Sequence, residues 1–173
     1  LLGDAPPVAG TVSTDGAIVV GTPRSSSLIR SLPLAVELRS VGREGYVIRT
    51  TRIGGKRVTI VAANEDIGAL YGTFALLRRM QTRRSMRALA LRDAPKVALR
   101  MLDHWDNLNG SVERGYAGRS IWQWDSLPAL VPPRYRDYGR ANASIGINGA
   151  VLTNVNANAR MLTPEFFDKV AAV

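Results

Sequence analysis

The chain has 173 residues, 46% hydrophobic and 21% charged, so it can bury a core and is sized for one or two domains. It has no cysteine and one histidine, which excludes a disulfide framework and a thiolate metal site and argues against a metal centre. The net charge of +9 would suit nucleic acid or an anionic surface, but the basic residues are dispersed and only residues 78–87 cluster.

Residues 17–20 form a short apolar strand ending at Gly21-Thr22-Pro23. Ser25, Ser26 and Ser27 then offer N-cap oxygens to a short helix containing Leu28, Ile29 and Leu32. A phosphate site at that helix start would need a glycine-rich signature, which is missing. Residues 46–53 and 56–63 are β-branched runs joined by Gly54-Gly55, the pattern of a two-residue hairpin. Asn64 is expected to cap the next helix, with Glu65 and Asp66 complementing its positive end. Ile67, Leu70, Tyr71, Phe74, Leu77 and Met80 define an apolar face that should pack on the sheet. That helix ends in Arg78-Arg79, where cations favour a C-terminus, and in a loop over residues 81–84. Residues 87–91 give a last strand, and Asp93-Ala94-Pro95 breaks the pattern, placing a domain boundary near residues 92–96.

Two further apolar runs, 98–102 and 149–152, stop abruptly at Asp103-His104-Trp105-Asp106-Asn107 and Thr153-Asn154-Val155-Asn156. Buried parallel strands opening into an active-site rim have this form. Between them lie a long loop, 108–133, and a helical pattern with Tyr135, Tyr138, Ala141 and Ile145 on one face. The loop far exceeds the roughly 2–6 residues usual for a βα connection, and ordered loops of that length are commonly functional. Thr163-Pro164-Glu165 opens a last helix with Thr as N-cap. There is no internal repeat and no low-complexity segment.

The strings LDHWDN, VERGYAGRSIW, RANASIGINGAVLTNVNANAR and LTPEFF resemble the start of the catalytic barrel of the α-glucuronidases of glycoside hydrolase family 67. Residues 1–95 are similar to that family's N-terminal α+β domain in their order of elements. The resemblance implies an α+β domain over 1–95 followed, over 96–173, by the beginning of a (β/α)₈ TIM barrel. A complete barrel needs about 250 residues, so only about two strand-helix units are expected here. It also implies hydrolysis of the α-1,2 bond between (4-O-methyl)glucuronic acid and xylose in xylo-oligosaccharides, by an inverting acid/base mechanism and with no cofactor. The expected partners are glucuronoxylan-derived oligosaccharides (aldouronic acids) and the remainder of the barrel and C-terminal region. Nucleic acid and membrane are not expected, and the whole enzyme could form a homodimer.

Inverting hydrolysis needs two carboxyl groups about 6.5–9.5 Å apart. The acids near the rim are Asp103, Asp106, Glu113 and Asp125, but the resemblance places the catalytic pair on later strands, beyond Val173, so none in this chain is assigned. Asp103 and Asp106 are expected to hydrogen-bond the loop, and Glu113 with Arg114 to fix its shape. Trp122 is expected to face sugar, since a pyranose packs its C–H faces on an aromatic ring and the family's SIW segment lines the pocket. Trp105 and Trp124 are instead expected to be buried under the loop. His104 could shuttle protons but suits a positioned hydrogen-bonding group better. Asn154 and Asn156 alternate with Val155, so both amides would face one side, toward sugar hydroxyls or a carboxylate. Arg119 is the chain's own candidate for a uronate carboxylate.

Two rival readings remain at this point. One is a different barrel hydrolase using Asp103, Asp106 or Asp125; the other is a basic module gripping nucleic acid through residues 78–87. The concentration of Trp, Gly and Asn far from that cluster speaks against the second. No run approaches the ~18 apolar residues of a membrane span. No basic-then-apolar signal opens the chain, but it starts on Leu1 rather than Met, so upstream processing stays open. A cytoplasmic or cell-associated location is expected rather than a membrane one.

Overall fold

A computed structural model of the chain describes residues 7–153 and 158–173. It divides into two compact units, Leu1–Lys96 and Val97–Val173.

The first unit is a four-stranded mixed sheet covered on both faces. Its elements in chain order are β1 (Ala17–Gly21), α1 (Ser27–Ser31), α2 (Ala35–Val41), β2 (Tyr46–Ile53), β3 (Lys56–Ala63), α3 (Asp66–Gln81) and β4 (Ala90–Asp93). The strand order is β1-β3-β2-β4, with β1 parallel to β3 and β2 antiparallel to both neighbours. Gly54 and Gly55 both take positive φ, 53° and 80°, as the expected two-residue hairpin requires.

Because side chains alternate along a strand, β2 and β3 supply both cores. Val47, Val58, Ile60 and Ala62 pack under Ile29 of α1 and Leu38 and Val41 of α2. Ile48 and Val61 face the other way, against Leu76 of α3 and Leu89. Helix α2 escaped the sequence pattern, which offers only Leu38 and Val41 as buried positions over its 7 residues.

Asn64 does not cap α3. Glu65 holds the N-cap position without a side-chain bond to the helix's own N–H groups, its carboxylate accepting from Arg43 instead. The Asn64 amide instead donates to Leu38 O at 2.6 Å and Gly42 O at 2.7 Å, satisfying carbonyls that the end of α2 leaves orphaned.

The apolar face of α3 is also not the expected one. Leu70 is 41% exposed, and the buried positions are Gly68, Ala69, Tyr71, Gly72 and Leu76. The helix seats on the sheet through small residues: a Cβ on Gly68 would lie 2.5 Å from Gly45 O and 2.9 Å from Ala63 Cβ. A pattern read from large side chains misses a face whose function is close approach. The last strand begins later than expected, at Ala90, because Ala88 has a left-handed backbone, φ 49°, that interrupts the ladder.

The second unit contains β5 (Met101–Asp103), α4 (Pro133–Ser144), β6 (Gly149–Val151), a 3₁₀ turn (Ala159–Leu162) and α5 (Pro164–Ala171). β5 and β6 are parallel, Met101 opposite Gly149, with α4 as the crossover. Both strands are shorter than expected. Before β5 the pairing is made by Asn148: its backbone N–H donates to Arg100 O at 2.9 Å, and its side chain accepts from Arg100 N and donates to Ala98 O. The strands contribute little to the core, Met101 being 46% and Val151 40% exposed. The buried cluster is Trp122, Trp124 and Leu127 from the long loop, Tyr135 from α4 and Phe166 from α5. Ile145, expected on the inner face of α4, is 69% exposed just past the helix end.

Two outcomes are expected. Gly68→Ala gains up to ~1 kcal/mol of helix propensity but forces a methyl onto backbone, so a net loss of about 1–2 kcal/mol should appear in chemical denaturation. An unchanged or raised midpoint would contradict the close seating of α3. Burial pushes the Tyr46 phenol up to about 12, aided by the Asp93 carboxylate 3.4 Å from its hydroxyl. The unfolded phenol titrates near 10, so the folded state holds its proton longer. That contribution to stability is complete below about pH 10 and is lost as pH rises toward 12, and Tyr46→Phe should flatten this alkaline loss. An identical alkaline unfolding profile in wild type and Tyr46→Phe would contradict it.

Candidate functional site

The chain leaves β5 at Asp103 and turns at once into a buried polar knot. His104 N–H donates to Val151 O at 2.9 Å, extending the β5–β6 ladder by one bond. Asp106 is 5% exposed. A carboxylate that deep needs donors, and the Ser120 hydroxyl, 14 residues on, donates to its Oδ2. The same Ser120 oxygen accepts from Trp122 N–H at 2.9 Å, while the Asp106 carbonyl accepts from Thr153 Oγ1 at 2.9 Å. His104 Nδ1 lies 3.7 Å from Asp106 Oδ1, an electrostatic separation rather than a hydrogen bond, and its Nε2 is 2.5 Å from the Tyr138 hydroxyl. His104 is thus held at Nε2 by Tyr138, with Nδ1 turned toward Asp106, as a positioned group would be.

The loop itself is pinned by short bridges. Asp106 pairs with Val112 and Ser111 with Arg119, and Ser120 N–H donates to Gly110 O at 2.9 Å. The Asn107 amide bonds Ser111 Oγ and Glu113 O. Glu113 adopts φ 54°, and its carboxylate accepts from the Tyr116 hydroxyl at 2.6 Å, which raises the Tyr116 phenol above its ordinary range. The expected Glu113–Arg114 pair does not form: Tyr116, three residues on, takes that place.

Trp122 is 3% exposed and surrounded by rings, with centroids 5.2 Å away for His104, 5.1 Å for Tyr135 and 5.6 Å for Tyr138. Open stacking of a sugar on its face, the sequence expectation, does not fit this packing. Its indole Nε1–H is a buried side-chain donor with no partner among the described residues. Trp124 is buried at 2% against Phe166, as expected, whereas Trp105 is 46% exposed, contrary to its expected burial. The Gln123 backbone N–H donates to Tyr135 OH at 2.7 Å, so α4 holds the loop directly.

A groove of about 400 Å³ opens beside this core, lined among others by Asn109, Arg119, Trp122, Gln123, Asp125 and Arg134. Arg119 and Arg134 are exposed, and neither makes an ion pair with another described residue. The structure therefore brings together Trp122 and Arg119 in the groove, with His104 and Asp106 behind Trp122. Asp103 is exposed at the end of β5, and Asp125 is exposed on the groove. Asn154 and Asn156 lie outside the described residues. Among the described residues, no three His, Asp or Glu side chains gather as a metal site would require. Sequence reasoning missed Ser120 and Arg134. Ser120 stands inside the quoted RSIW string, but only the burial of Asp106 reveals the need for it.

Family models match nearly the whole chain: the glycosyl hydrolase family 67 N-terminus over residues 1–76 and the family 67 middle domain over residues 79–173. The probable alpha-glucuronidase A of Neosartorya fischeri is 35% identical over 161 residues, 93% of this chain. The alpha-glucuronidase A of Emericella nidulans is 39% identical over 135 residues, 75% of this chain. The probable alpha-glucuronidase A of Aspergillus terreus is 39% identical over 132 residues. The chain spans 18%, 15% and 15% of the length of these three relatives, respectively.

Ser120→Ala leaves the buried Asp106 carboxylate and the Trp122 N–H without their shared partner. A loss of about 1–3 kcal/mol is expected in equilibrium denaturation. A variant as stable as wild type would show that the knot does not hold the loop.

Proposed function

The chain belongs to glycosyl hydrolase family 67, and from that membership we propose that it forms part of an α-glucuronidase, which removes (4-O-methyl)glucuronic acid from xylose in xylan-derived oligosaccharides. In this reading residues 1–95 are the N-terminal α+β domain and residues 96–173 open a (β/α)₈ catalytic barrel. The parallel pairing of β5 and β6 across α4 is the arrangement such a barrel begins with. The loop after β5 and the N-terminus of α4 then lie on the face where barrel enzymes bind substrate.

The observation that carries the proposal is the buried, unpartnered indole donor of Trp122, a residue that also lines the groove bearing Arg119. A buried donor left unbonded carries a free-energy penalty that a ligand oxygen relieves. In the proposed site Trp122 offers its N–H to a sugar oxygen, Arg119 offers its guanidinium to the uronate or an adjoining hydroxyl, and His104 and Asp106 position Trp122 from behind. The acid and base carboxylates of the inverting mechanism are assigned to residues outside these 173. Asp106 is unsuited to either role in this reading, because its carboxylate is taken up by Ser120 and sealed from water.

The test is release of 4-O-methylglucuronic acid from aldouronic acids by the full-length protein, with Trp122→Phe as the informative variant. Phe keeps an apolar ring in the core and deletes the N–H, so kcat/KM should fall about tenfold, the worth of one buried hydrogen bond, while the protein stays folded. Release of no uronic acid would overturn the enzyme assignment. Unchanged kinetics in Trp122→Phe would remove Trp122 from the site.

A further inference from the structure

Folding of the first unit carries cations from two distant stretches to one end of the sheet. Arg52, Lys56 and Arg57 flank the hairpin turn, and the β2–β3 register sets Arg52 directly opposite Arg57. Alternation along the strands puts both on the α3 side, with Ile48 and Val61. Helix α3 crosses that side from Gly68 beside Ala63, through Gly72 beside Val61, to Leu76 beside Ile48 and Leu89. Its C-terminal end therefore returns to the hairpin end and delivers the loop containing Arg83, Arg84 and Arg87. Thr50 N–H donates to Leu89 O, and Leu89 N–H to Thr50 Oγ1, both at 2.9 Å, fastening that loop two residues from Arg52. Arg79 Nε also ties the loop back to α3 through Ser85 O at 2.6 Å.

Arg52, Lys56, Arg57, Arg83, Arg84 and Arg87 are all exposed, and none is ion-paired to another described residue. An acid adjoins them, Asp15, which accepts from the backbone N–H of Arg57. Like charges directly opposite on a sheet are destabilising, and Arg83 and Ala88 hold left-handed backbone at φ 53° and 49° in the loop that presents the others. The fold thus concentrates positive charge at a cost to its own stability. Five of the six are arginines, whose planar forks match carboxylates in pairs of hydrogen bonds. No aromatic residue occurs in 52–57 or 78–89, so the rings on which single-stranded nucleic acid stacks its bases are missing.

We propose that this arginine-rich end docks an acidic polysaccharide, a xylan chain carrying uronate side groups. The choice of a uronate-bearing polymer rests on the function proposed above. The surface would hold the polymer through several exposed guanidinium–carboxylate pairs, each weak and salt-screened, acting together.

Native electrophoresis of the full-length protein through gels containing soluble glucuronoxylan tests this. The wild type should be retarded at low salt and released by added salt, and a neutral arabinoxylan gel should retard it less. The triple variant Arg83→Glu, Arg84→Glu, Arg87→Glu should bind about tenfold more weakly, and the corresponding Gln variant should fall between. Both should hydrolyse short aldouronic acids as the wild type does. Equal retardation of wild type and Glu variant, or equal retardation by the neutral xylan, would overturn the proposal. Stronger retardation by DNA than by glucuronoxylan would overturn it in favour of nucleic acid. Parallel assays on short aldouronic acids separate the two readings. A protein active on them but not retarded contradicts only the docking surface, and one that is retarded but inactive contradicts only the enzyme assignment.

Discussion

A carboxylate buried at the end of a strand has to be answered by donors, and the way Asp106 is answered shapes the second unit. Only 5% of it is exposed, so other groups must replace water around its oxygens. Ser120 supplies the hydroxyl and in doing so fixes the point to which a 14-residue excursion must return. The residue two positions later, Trp122, is thereby drawn into the core, its backbone N–H on the same serine oxygen. His104 and Tyr138 close the other side. A segment that would otherwise be a long exposed connection becomes the principal source of buried area, because Trp122, Trp124 and Leu127 replace what the short strands do not provide.

The first unit achieves order by a different route. Its sheet is covered on both faces, and α3 comes close through glycines before Leu76 packs against Ile48, Val61 and Leu89. Close approach concentrates contact near Gly45, Ala63 and Val61, with Tyr71 and Leu76 as the large residues of the helix that are buried and Leu70 exposed. The same path sets the end of α3 beside the hairpin, so charge accumulates there as a consequence of topology.

Strong local patterns were legible from sequence alone. The hairpin at Gly54-Gly55 and the two parallel strands around a crossover helix rest on periodicity and turn chemistry, which are local properties. What escaped was governed by tertiary contact. Asn64 reads as a helix cap until the end of α2 arrives beside it, and α2 itself buries too few residues to announce a period. Trp122 reads as a sugar platform because a pyranose packs on an aromatic face and the resembled family's SIW segment lines its pocket, and only the arrival of Tyr135 and Tyr138 shows that the ring is enclosed. Family membership was legible in the quoted motifs, whereas Ser120 and Arg134 were not, since nothing about either residue alone marks it.

A rigid wall beside the groove requires the loop to be as well ordered as the core it joins. Amide hydrogen exchange at Trp122 and Gln123 in the full-length protein measures this most directly, because their N–H groups are bonded to Ser120 Oγ and Tyr135 OH. Protection comparable to that of the central strands β2 and β3 is the result predicted by a loop locked through Asp106. Exchange at the rate of an open surface loop, with the strands still protected, would contradict it.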